Sequence, residues 1–354
     1  MKIAIDESPL KTGHFLKHRV RGTGFYIRNL KESLTKYYPK DDFIFFQRGQ
    51  KIPENVQLVH YPYFEPFFIT LPFLNNNKTI VTVHDFTPLV FPDKLPKGVK
   101  GSIKWKIQKQ LLKGVDAIIT DSYSSKKDII ELAGVTEKKI HVVYLAASEK
   151  FKPNNSDSLI KTKKKYNLPE KFLLYVGDVT WNKNLPNLIE AVQKTDYNLV
   201  IAGDAFKNED FDHSNPWNKD LAKAQELAKS NKKIKALGFV SDEELADLYN
   251  LATVFIMPSF YEGFGLPVLE AMQSGCPVVT SDKGSLKEVC GDAVLYVDPQ
   301  SVESIKNGIE KIMGDSTLRE KLSKKGLEQA AKFNWKKTAD QTVKVYEKIF
   351  SEKK

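Results

Sequence analysis

The amino-acid sequence predicts an α/β protein with two doubly wound, Rossmann-like domains that face each other across a cleft. Short apolar runs of strand length alternate with helical patterns, and such alternation produces parallel sheets with right-handed crossovers. The length of 354 residues fits two domains of ordinary size. A turn-rich stretch without periodicity, 153–158, separates the two sets of strands. We therefore expect a first domain over 1–158, a second over 159–334, and a terminal helix over 335–354 that packs back on the first.

The individual elements follow from apolar periodicity. Apolar runs predict strands at 2–5, 43–47, 56–60, 79–84, 115–120 and 140–144 in the first half, and at 172–176, 199–202, 234–237, 254–257, 278–280 and 294–297 in the second. Apolar residues spaced three or four apart predict helices at 25–38, 100–113, 122–133, 160–166, 184–194, 217–229, 242–250, 266–274, 301–312, 315–332 and 335–350.

The charge of the chain limits its partners. A formal net charge of +10 favours a polyanion, but only five of the basic residues are arginine and the rest form a lysine-rich surface. Because no aromatic-basic motif of the nucleic-acid modules accompanies this charge, we expect no nucleic-acid partner. The basic amphipathic helix 100–113 has two interpretations. It covers one face of a sheet, or it binds weakly to an anionic membrane surface.

The sequence also indicates a compartment. Its two cysteines, Cys276 and Cys290, form no disulfide framework, and no metal-ligand cluster is evident. The first residues resemble a strand more than a signal peptide, and no apolar run reaches the ~20 residues of a membrane span. We expect a cytoplasmic protein, with the inner face of the membrane as a second location. The pattern does not indicate an oligomeric state.

The stretch 254–280 carries the strongest chemical signal. An apolar strand leads into a loop with Gly263 and Gly265, and a short helix follows with Pro267 in its first turn. Bare backbone at a helix start lets an anion approach free N–H groups, so we predict a phosphate site. Two carboxylates, Glu262 and Glu270, lie on either side of it.

Two weaker signals lie in the first half. Gly22-Thr23-Gly24 opens a helix beside Arg19 and Arg21, and these residues are candidates for phosphate or acceptor contacts; equally, the glycines only allow close helix packing. His84 and Asp85 follow an apolar strand, where open α/β sheets place ligand contacts. The alternative for His84 is a buried histidine satisfied by backbone.

With the Glu-Gly-Phe-Gly-Leu-Pro-Val-Leu-Glu run at 262–270, the chain resembles the family 4 retaining glycosyltransferases of GT-B fold. Further landmarks occur in the order expected for that family. They are Gly22-Thr-Gly24, Val83-His84-Asp85, Thr120-Asp-Ser122, Tyr175-Val-Gly177, Lys183-Asn-Leu185, Leu199–Gly203, Gly238-Phe239-Val240 and Gly291-Asp-Ala293.

The resemblance implies a metal-independent hexosyltransferase that uses a nucleoside-diphosphate sugar and needs no cofactor. By residue, it implies that Glu262 lies near the sugar and Glu270 binds the ribose, and that Lys183 neutralises the leaving phosphate. It further implies that His84 touches the sugar from the other domain. The remaining donor contacts it implies are Phe264, Gly265 and Leu266 at the diphosphate, Gly238, Phe239 and Val240 at the base, and Gly177.

Two departures from the family pattern concern the diphosphate. Asp178 and Asn182 occupy positions where relatives commonly carry an arginine, and Trp181 is also unusual. We expect Arg21, with Arg19 second, to supply the missing charge. Arg21→Lys should then lose much more activity than Lys17→Arg, and equal activities would contradict this.

Several alternatives stay open. Asp210-Phe-Asp212 could chelate a divalent cation in a metal-dependent transferase, although a solvated loop is the plainer interpretation. A catalytically inactive binding module, a phosphorylase or an epimerase could share the architecture. For the transferase, the motifs are most similar to those of cell-surface polysaccharide enzymes. We therefore favour a mannosyl- or rhamnosyl-type reaction on a glycan or lipid-linked glycan.

Overall fold

The computed structural model describes residues 1–10, 22–73, 77–208, 210–229 and 231–352. The described residues form two six-stranded sheets in which every strand pair is parallel. The chain divides into two compact units. Unit 1 is Met1–Pro92, Lys97–Ala146 and Phe333–Lys354, and unit 2 is Asp93–Pro96 and Ala147–Lys332. Residues 147–158, which the turn-rich composition assigned to the first domain, thus belong to unit 2.

The strands are nearly all where the apolar runs predict them. In chain order they are β1 Lys2–Asp6, β2 Asp42–Phe46, β3 Leu58–Tyr61, β4 Lys78–Thr82, β5 Ala117–Thr120, β6 Ile140–Val142, β7 Phe172–Val176, β8 Asn198–Ala202, β9 Ile234–Gly238, β10 Val254–Met257, β11 Val278–Thr280 and β12 Leu295–Tyr296. The sheet order is β2-β1-β3-β4-β5-β6 in unit 1 and β12-β11-β10-β7-β8-β9 in unit 2.

The helices cover the sheets. They are α1 Gly22–Tyr37, α2 Thr87–Val90, α3 Gly98–Gly114, α4 Tyr123–Asp128, α5 Asp157–Lys165, α6 Leu185–Gln193, α7 Asp204–Lys207, α8 Lys219–Lys229, α9 Asp242–Leu251, α10 Leu266–Gln273, α11 Leu286–Cys290, α12 Val302–Gly314, α13 Ser316–Ala330 and α14 Trp335–Ser351. The short helices α2, α7 and α11 have too few residues for a periodic signal and were not predicted.

Local capping explains several boundaries. The Ser122 side chain accepts a hydrogen bond from the Ser125 N–H at the start of α4. At the start of α14, the Asn334 side chain accepts one from the Lys337 N–H. Ser241 and Glu244 form a reciprocal capping box at the start of α9. The predicted helix 122–133 continues from α4 as a π-helical turn, Ile129–Ala133.

In unit 1, the last helix of the chain completes the core. α14 packs on α1 and β5. The Tyr346 hydroxyl lies 2.7 Å from His60 Nδ1, and the Thr338 hydroxyl donates to the Tyr144 carbonyl at 2.8 Å. Burial lowers the pKa of His60 to about 3, so this histidine is neutral at physiological pH.

The structure shows which face of α3 is buried, a point that the amphipathic pattern over 100–113 left open. Ile103 is 56% exposed. The buried side is instead formed by Gly101, Trp105, Gln108 and Leu112. α3 therefore presents apolar side chains on its outer side as well. Within the described ranges, no helix is both long and apolar enough to cross a membrane.

Candidate functional site

Unit 2 has its topological switch point between β7 and β10. The chain runs from β7 outward to β8 and β9, then returns to place β10 on the other side of β7. In open α/β sheets, ligands bind beyond the carboxyl ends of the strands at this point. The segments that follow β7 and β10 contain Gly177, Lys183 and Glu262. These residues, which the sequence analysis assigned to the donor site, therefore all lie at the carboxyl ends of two adjacent central strands.

Glu262 and Lys183 form a close ion pair. Lys183 Nζ lies 2.9 Å from Oε1 and 2.8 Å from Oε2 of Glu262. The Lys183 side chain is only 20% exposed and the Glu262 side chain only 7%. Charge-assisted hydrogen bonds in a poorly hydrated site are stronger than those at a surface. The pair therefore fixes the direction of both side chains at the switch point.

The backbone around Glu262 is held by residues that the sequence analysis did not single out. The Glu262 carbonyl accepts from the Ser285 N–H at 3.1 Å and from its hydroxyl at 3.0 Å. Gly284 precedes this serine with φ of +60°, and a Cβ there would lie 2.5 Å from the Glu262 carbonyl oxygen. A glycine-serine pair just after β11 is the sequence signal that could have identified them.

The unusual residues Trp181 and Asn182 support the same loop. The Asn182 side chain is buried and donates to the Tyr261 carbonyl at 3.0 Å. The backbone carbonyl of Asn182 accepts from the Phe260 N–H at 2.7 Å. The Trp181 ring stacks on Phe260 with centroids 4.8 Å apart and an interplanar angle of 17°. Asn182, at one of the two positions where an arginine was expected, and its neighbour Trp181 thus hold the Glu262 loop in place.

The start of α10 offers backbone donors beside this pair. Among the described residues, nothing accepts a hydrogen bond from the N–H groups of Gly265 and Leu266. Pro267 has no N–H, and Phe264 is buried. Free N–H groups at a helix start bind anions, which agrees with the predicted phosphate site.

Glu270 lies one turn further along α10. Its Oε2 accepts a hydrogen bond from the buried Tyr249 hydroxyl at 3.0 Å. Burial raises the pKa of Glu270 to about 8, and the Tyr249 hydrogen bond only partly offsets this. This carboxyl group therefore keeps its proton at neutral pH.

Glycines stand at the carboxyl ends of three neighbouring strands: Gly177 after β7, Gly203 after β8 and Gly238 at the end of β9. The Gly177 N–H donates to the Ala202 carbonyl at 3.1 Å, and the Gly203 N–H donates to the Gly238 carbonyl at 3.0 Å. A Cβ on Gly203 would collide with the Gly177 carbonyl. Next to this bare edge, Phe239 is 67% exposed and Val240 is half-buried. Such an edge allows a flat ligand to approach the backbone closely.

Unit 1 contributes a separate polar group. His84 Nδ1 lies 2.7 Å from Asp121 Oδ2. The His84 ring meets Tyr26 edge-to-face, with centroids 4.9 Å apart. His84 is therefore held by side chains, and the backbone-satisfied histidine considered above is not what the structure shows. The Asp85 carboxylate accepts from the Thr87 N–H at 2.8 Å and so stabilises the turn that leads into α2.

The glycine run Gly22-Thr23-Gly24 is helical and forms the first turn of α1. Gly24 is buried, whereas Gly22 is exposed. The helix predicted at 25–38 thus begins three residues earlier and includes the glycine run. Arg19 and Arg21 lie outside the described residues.

The described residues contain no group of three or more His, Cys, Asp or Glu side chains placed to hold a metal ion. Of the predicted pair, Asp212 accepts from the Ser214 N–H at 2.8 Å and from its hydroxyl at 2.6 Å. These bonds lower the pKa of Asp212. Asp210 is exposed, and its N–H donates to the Asn208 side chain at 3.0 Å. The segment 210–212 is thus part of a surface turn, which does not favour the metal-site alternative.

Comparisons with known proteins agree with this geometry. Residues 15–148 match the model of Glycosyltransferase Family 4, and residues 157–329 match that of Glycosyl transferases group 1. O-antigen chain mannosyltransferase B of Escherichia coli is 34% identical over 280 residues, which cover 76% of this chain and 70% of that protein. O-antigen chain mannosyltransferase RfbU of Salmonella typhimurium is 31% identical over 245 residues, or 69% of this chain and 62% of that one.

Solved structures share the fold. A sucrose-phosphate synthase from Thermosynechococcus elongatus superposes with a TM-score of 0.78 at 20% identity, and the match covers 99% of both chains. Anabaena HepE in complex with UDP and glucose gives a TM-score of 0.74 at 16% identity over 98% of this chain and 99% of that one. The two Rossmann-like units and the family matches confirm the predicted GT-B architecture. The chain belongs to glycosyltransferase family 4 and is a GT-B glycosyltransferase.

Proposed function

We propose that this glycosyltransferase moves mannose from a nucleoside-diphosphate mannose to a glycan or lipid-linked glycan in cell-surface polysaccharide synthesis, with retention at the anomeric carbon. The observation that carries the proposal is the Lys183–Glu262 pair beside the free N–H groups of α10. Both of the similar O-antigen enzymes are mannosyltransferases, which supports the choice of sugar.

The chemistry follows from where charge develops. As the bond between the sugar C1 and the phosphate oxygen breaks, the sugar becomes positive and the departing diphosphate negative. The N–H groups of Gly265 and Leu266 and the Lys183 ammonium stabilise that negative charge. The acceptor hydroxyl forms the new bond to C1, and its proton passes to the leaving phosphate oxygen.

Glu262 then acts on the sugar by position. Both of its oxygens are bound by Lys183, which suits a group that orients hydroxyls better than one that must attack C1. When the diphosphate binds, Lys183 can turn toward it, and sugar hydroxyls replace the ammonium as donors to Glu262. Glu270 binds the ribose, Phe239 borders the base, and His84 contacts the transferred sugar.

A thermal-shift screen of nucleoside diphosphates and their sugars tests the donor. A ligand at 100 times its dissociation constant adds about 2.7 kcal/mol of stability. We expect a nucleoside-diphosphate mannose to give the largest shift and to be consumed with a glycan acceptor. An α-configured product from an α-configured donor supports retention, and full activity in excess chelator supports a metal-independent reaction. Binding without turnover over a panel of acceptors would contradict the proposed function and favour a binding module.

We further propose that unit 1 docks on an anionic membrane surface through an exposed patch formed by Phe68, Val99 and Ile103. These side chains are 44%, 80% and 56% exposed. Lys104 Nζ lies 5.1 Å from the centre of the Phe68 ring, which joins the loop before β4 to α3. α3 contains five lysines and no acidic residue. Within the described ranges, none of these five lysines forms an ion pair with a carboxylate. Apolar side chains beside unpaired lysines suit a bilayer with anionic headgroups.

Vesicle co-sedimentation tests this surface. The full chain should bind vesicles with anionic lipid more tightly than zwitterionic ones, and Ile103→Asp should weaken that binding at least tenfold. Ile160→Asp is the matched control, because Ile160 is 68% exposed on the lysine-rich helix α5. There, Lys163 and Lys165 are paired with Glu170 and Glu244. Equal binding by both variants would overturn the proposal.

A further inference from the structure

We propose that Asp121 is a positioning residue for the transfer reaction: it holds His84 through Nδ1, so that Nε2 is the atom presented to the transferred sugar as a protonated donor. This inference rests on the proposed sugar contact of His84. Asp121 lies in the Thr120-Asp-Ser122 landmark, for which the resemblance implied no role, and the role follows from the arrangement of two neighbouring strands in unit 1.

The strand register brings the two residues together. β4 and β5 pair in parallel with Thr82 opposite Ile119, and the Val83 N–H donates to the Ile119 carbonyl at 2.9 Å. Two residues further along each strand stand His84 and Asp121, both beyond the carboxyl end. Their side chains meet at 2.7 Å. The backbone therefore fixes this pair before any ligand is bound.

The surroundings leave one ring nitrogen available. Asp121 is only 3% exposed, and its Oδ2 accepts the Nδ1–H of His84. The buried Tyr26 ring packs edge-to-face against the imidazole, and its hydroxyl lies 3.1 Å from Thr82 Oγ1. His84 Nε2 is buried and has no hydrogen-bond partner among the described residues. A buried polar atom without a partner is costly, so Nε2 is suited to meet a ligand.

Asp121 also sets the charge of His84. Burial acts to lower the pKa of His84, but the charge and hydrogen bond of Asp121, together with the charges of Asp85 and Glu65, outweigh it, so the pKa is raised. Removal of the Asp121 charge leaves burial as the dominant effect. The imidazolium is then lost at a lower pH, and with it the Nε2–H donor. Besides these carboxylates, the ionisable groups near His84 within the described part of the chain are Tyr26, which keeps its proton, and His60, which is neutral.

Asp121→Asn is the decisive variant because the amide keeps the shape and the acceptor oxygen while removing the charge. We expect the alkaline limb of kcat/KM to move to lower pH by about one unit or more. The loss should be about tenfold or more at pH 8 and small at pH 6. Asp121→Ala, which also frees the ring, should lose activity at both pH values.

Asp116→Asn is the matched control. Asp116 lies before the opposite end of β5, where its carboxylate accepts from the Thr79 N–H at 2.7 Å. This variant should lower thermal stability without shifting the pH profile. If Asp121→Asn loses the same factor at every pH, as Asp116→Asn would through lost stability, Asp121 is merely structural and the inference fails.

Imidazole NMR of the nucleotide-free protein separates the two proposals. The titration of His84 should move to lower pH in Asp121→Asn, whether or not a donor is known. Addition of the donor sugar should then perturb Nε2 in the wild type. An unmoved His84 titration overturns the inference even when wild-type transfer is robust. Absence of transfer with every donor overturns the proposed function instead.

Discussion

Gly284→Ala is the sharpest test of how the Glu262 loop is held. A Cβ at this position would lie 2.5 Å from the Glu262 carbonyl oxygen and 2.9 Å from its nitrogen. Ordinary contacts begin at 3.4 Å, so the two backbones must separate by about 0.9 Å, the difference between 3.4 and 2.5 Å. Both contacting atoms are backbone, and no side chain can rotate to relieve the clash.

The expected loss follows from that displacement. A shift of about 1 Å at a reacting group can cost ~100-fold in rate, which is about 2.7 kcal/mol of transition-state stabilisation. Gly134→Ala is the control, because Gly134 is left-handed, with φ of +66° and ψ of +36°, and its added Cβ would meet only the end of the Lys113 side chain, at 3.5 Å. Both positions have a positive φ, so each alanine also adds a backbone strain on the order of 1–3 kcal/mol. Only Gly284→Ala moves Glu262.

The assay is kcat/KM for transfer at a fixed acceptor concentration, with the thermal midpoint measured in parallel. We expect a lower midpoint for Gly284→Ala than for the control, because its two backbones must separate, and at least a 30-fold lower kcat/KM at a temperature where both variants are folded. If the two variants transfer sugar at rates within threefold of each other, the Gly284–Ser285 segment does not position Glu262 and the reasoning is wrong.

The remaining predictions concern protons. Because the pKa of His60 is lowered to about 3 while an unfolded histidine titrates near 6.5, stability should fall by up to about 1.4 kcal/mol per pH unit as pH drops between these values. His60→Gln should flatten that slope in denaturant titrations, and an unchanged slope would refute the assignment. Since the pKa of Glu270 is about 8, a ribose hydroxyl that binds the carboxylate should release a proton at pH 7. Calorimetry in buffers of different ionisation heat measures this release; its absence, or its persistence in Glu270→Gln, would contradict ribose binding by Glu270.

Periodicity and the glycine-bearing motifs predicted most of this molecule. The strands of the described residues lie within a few residues of the apolar runs, because most of them are buried in a parallel sheet and are therefore largely apolar. The Glu262 and Lys183 positions followed from local sequence and the family resemblance. Their ion pair did not, since it joins residues far apart in sequence that only the sheet order brings together.

What the sequence could not predict is mostly support from distant residues. Asp121 reads as a polar residue after a strand until the register of β4 and β5 places it against His84. From the sequence, Asn182 only indicated that an expected arginine is absent. Its hydrogen bond to the Glu262 loop became evident in the structure. The buried face of α3 was not predicted, because both of its sides carry apolar side chains and spacing alone does not tell which one is buried.

The return of α14 to unit 1 affects how this chain is made. Unit 2 is almost continuous, whereas unit 1 needs residues 333–352, which a ribosome adds only after all of unit 2. Until then His60 and the apolar residues beside it lack the helix that carries Tyr346. Unit 2 can fold during synthesis, but unit 1 stays unfinished until α14 emerges. A stop codon after residue 332 would therefore damage the beginning of the protein rather than its end.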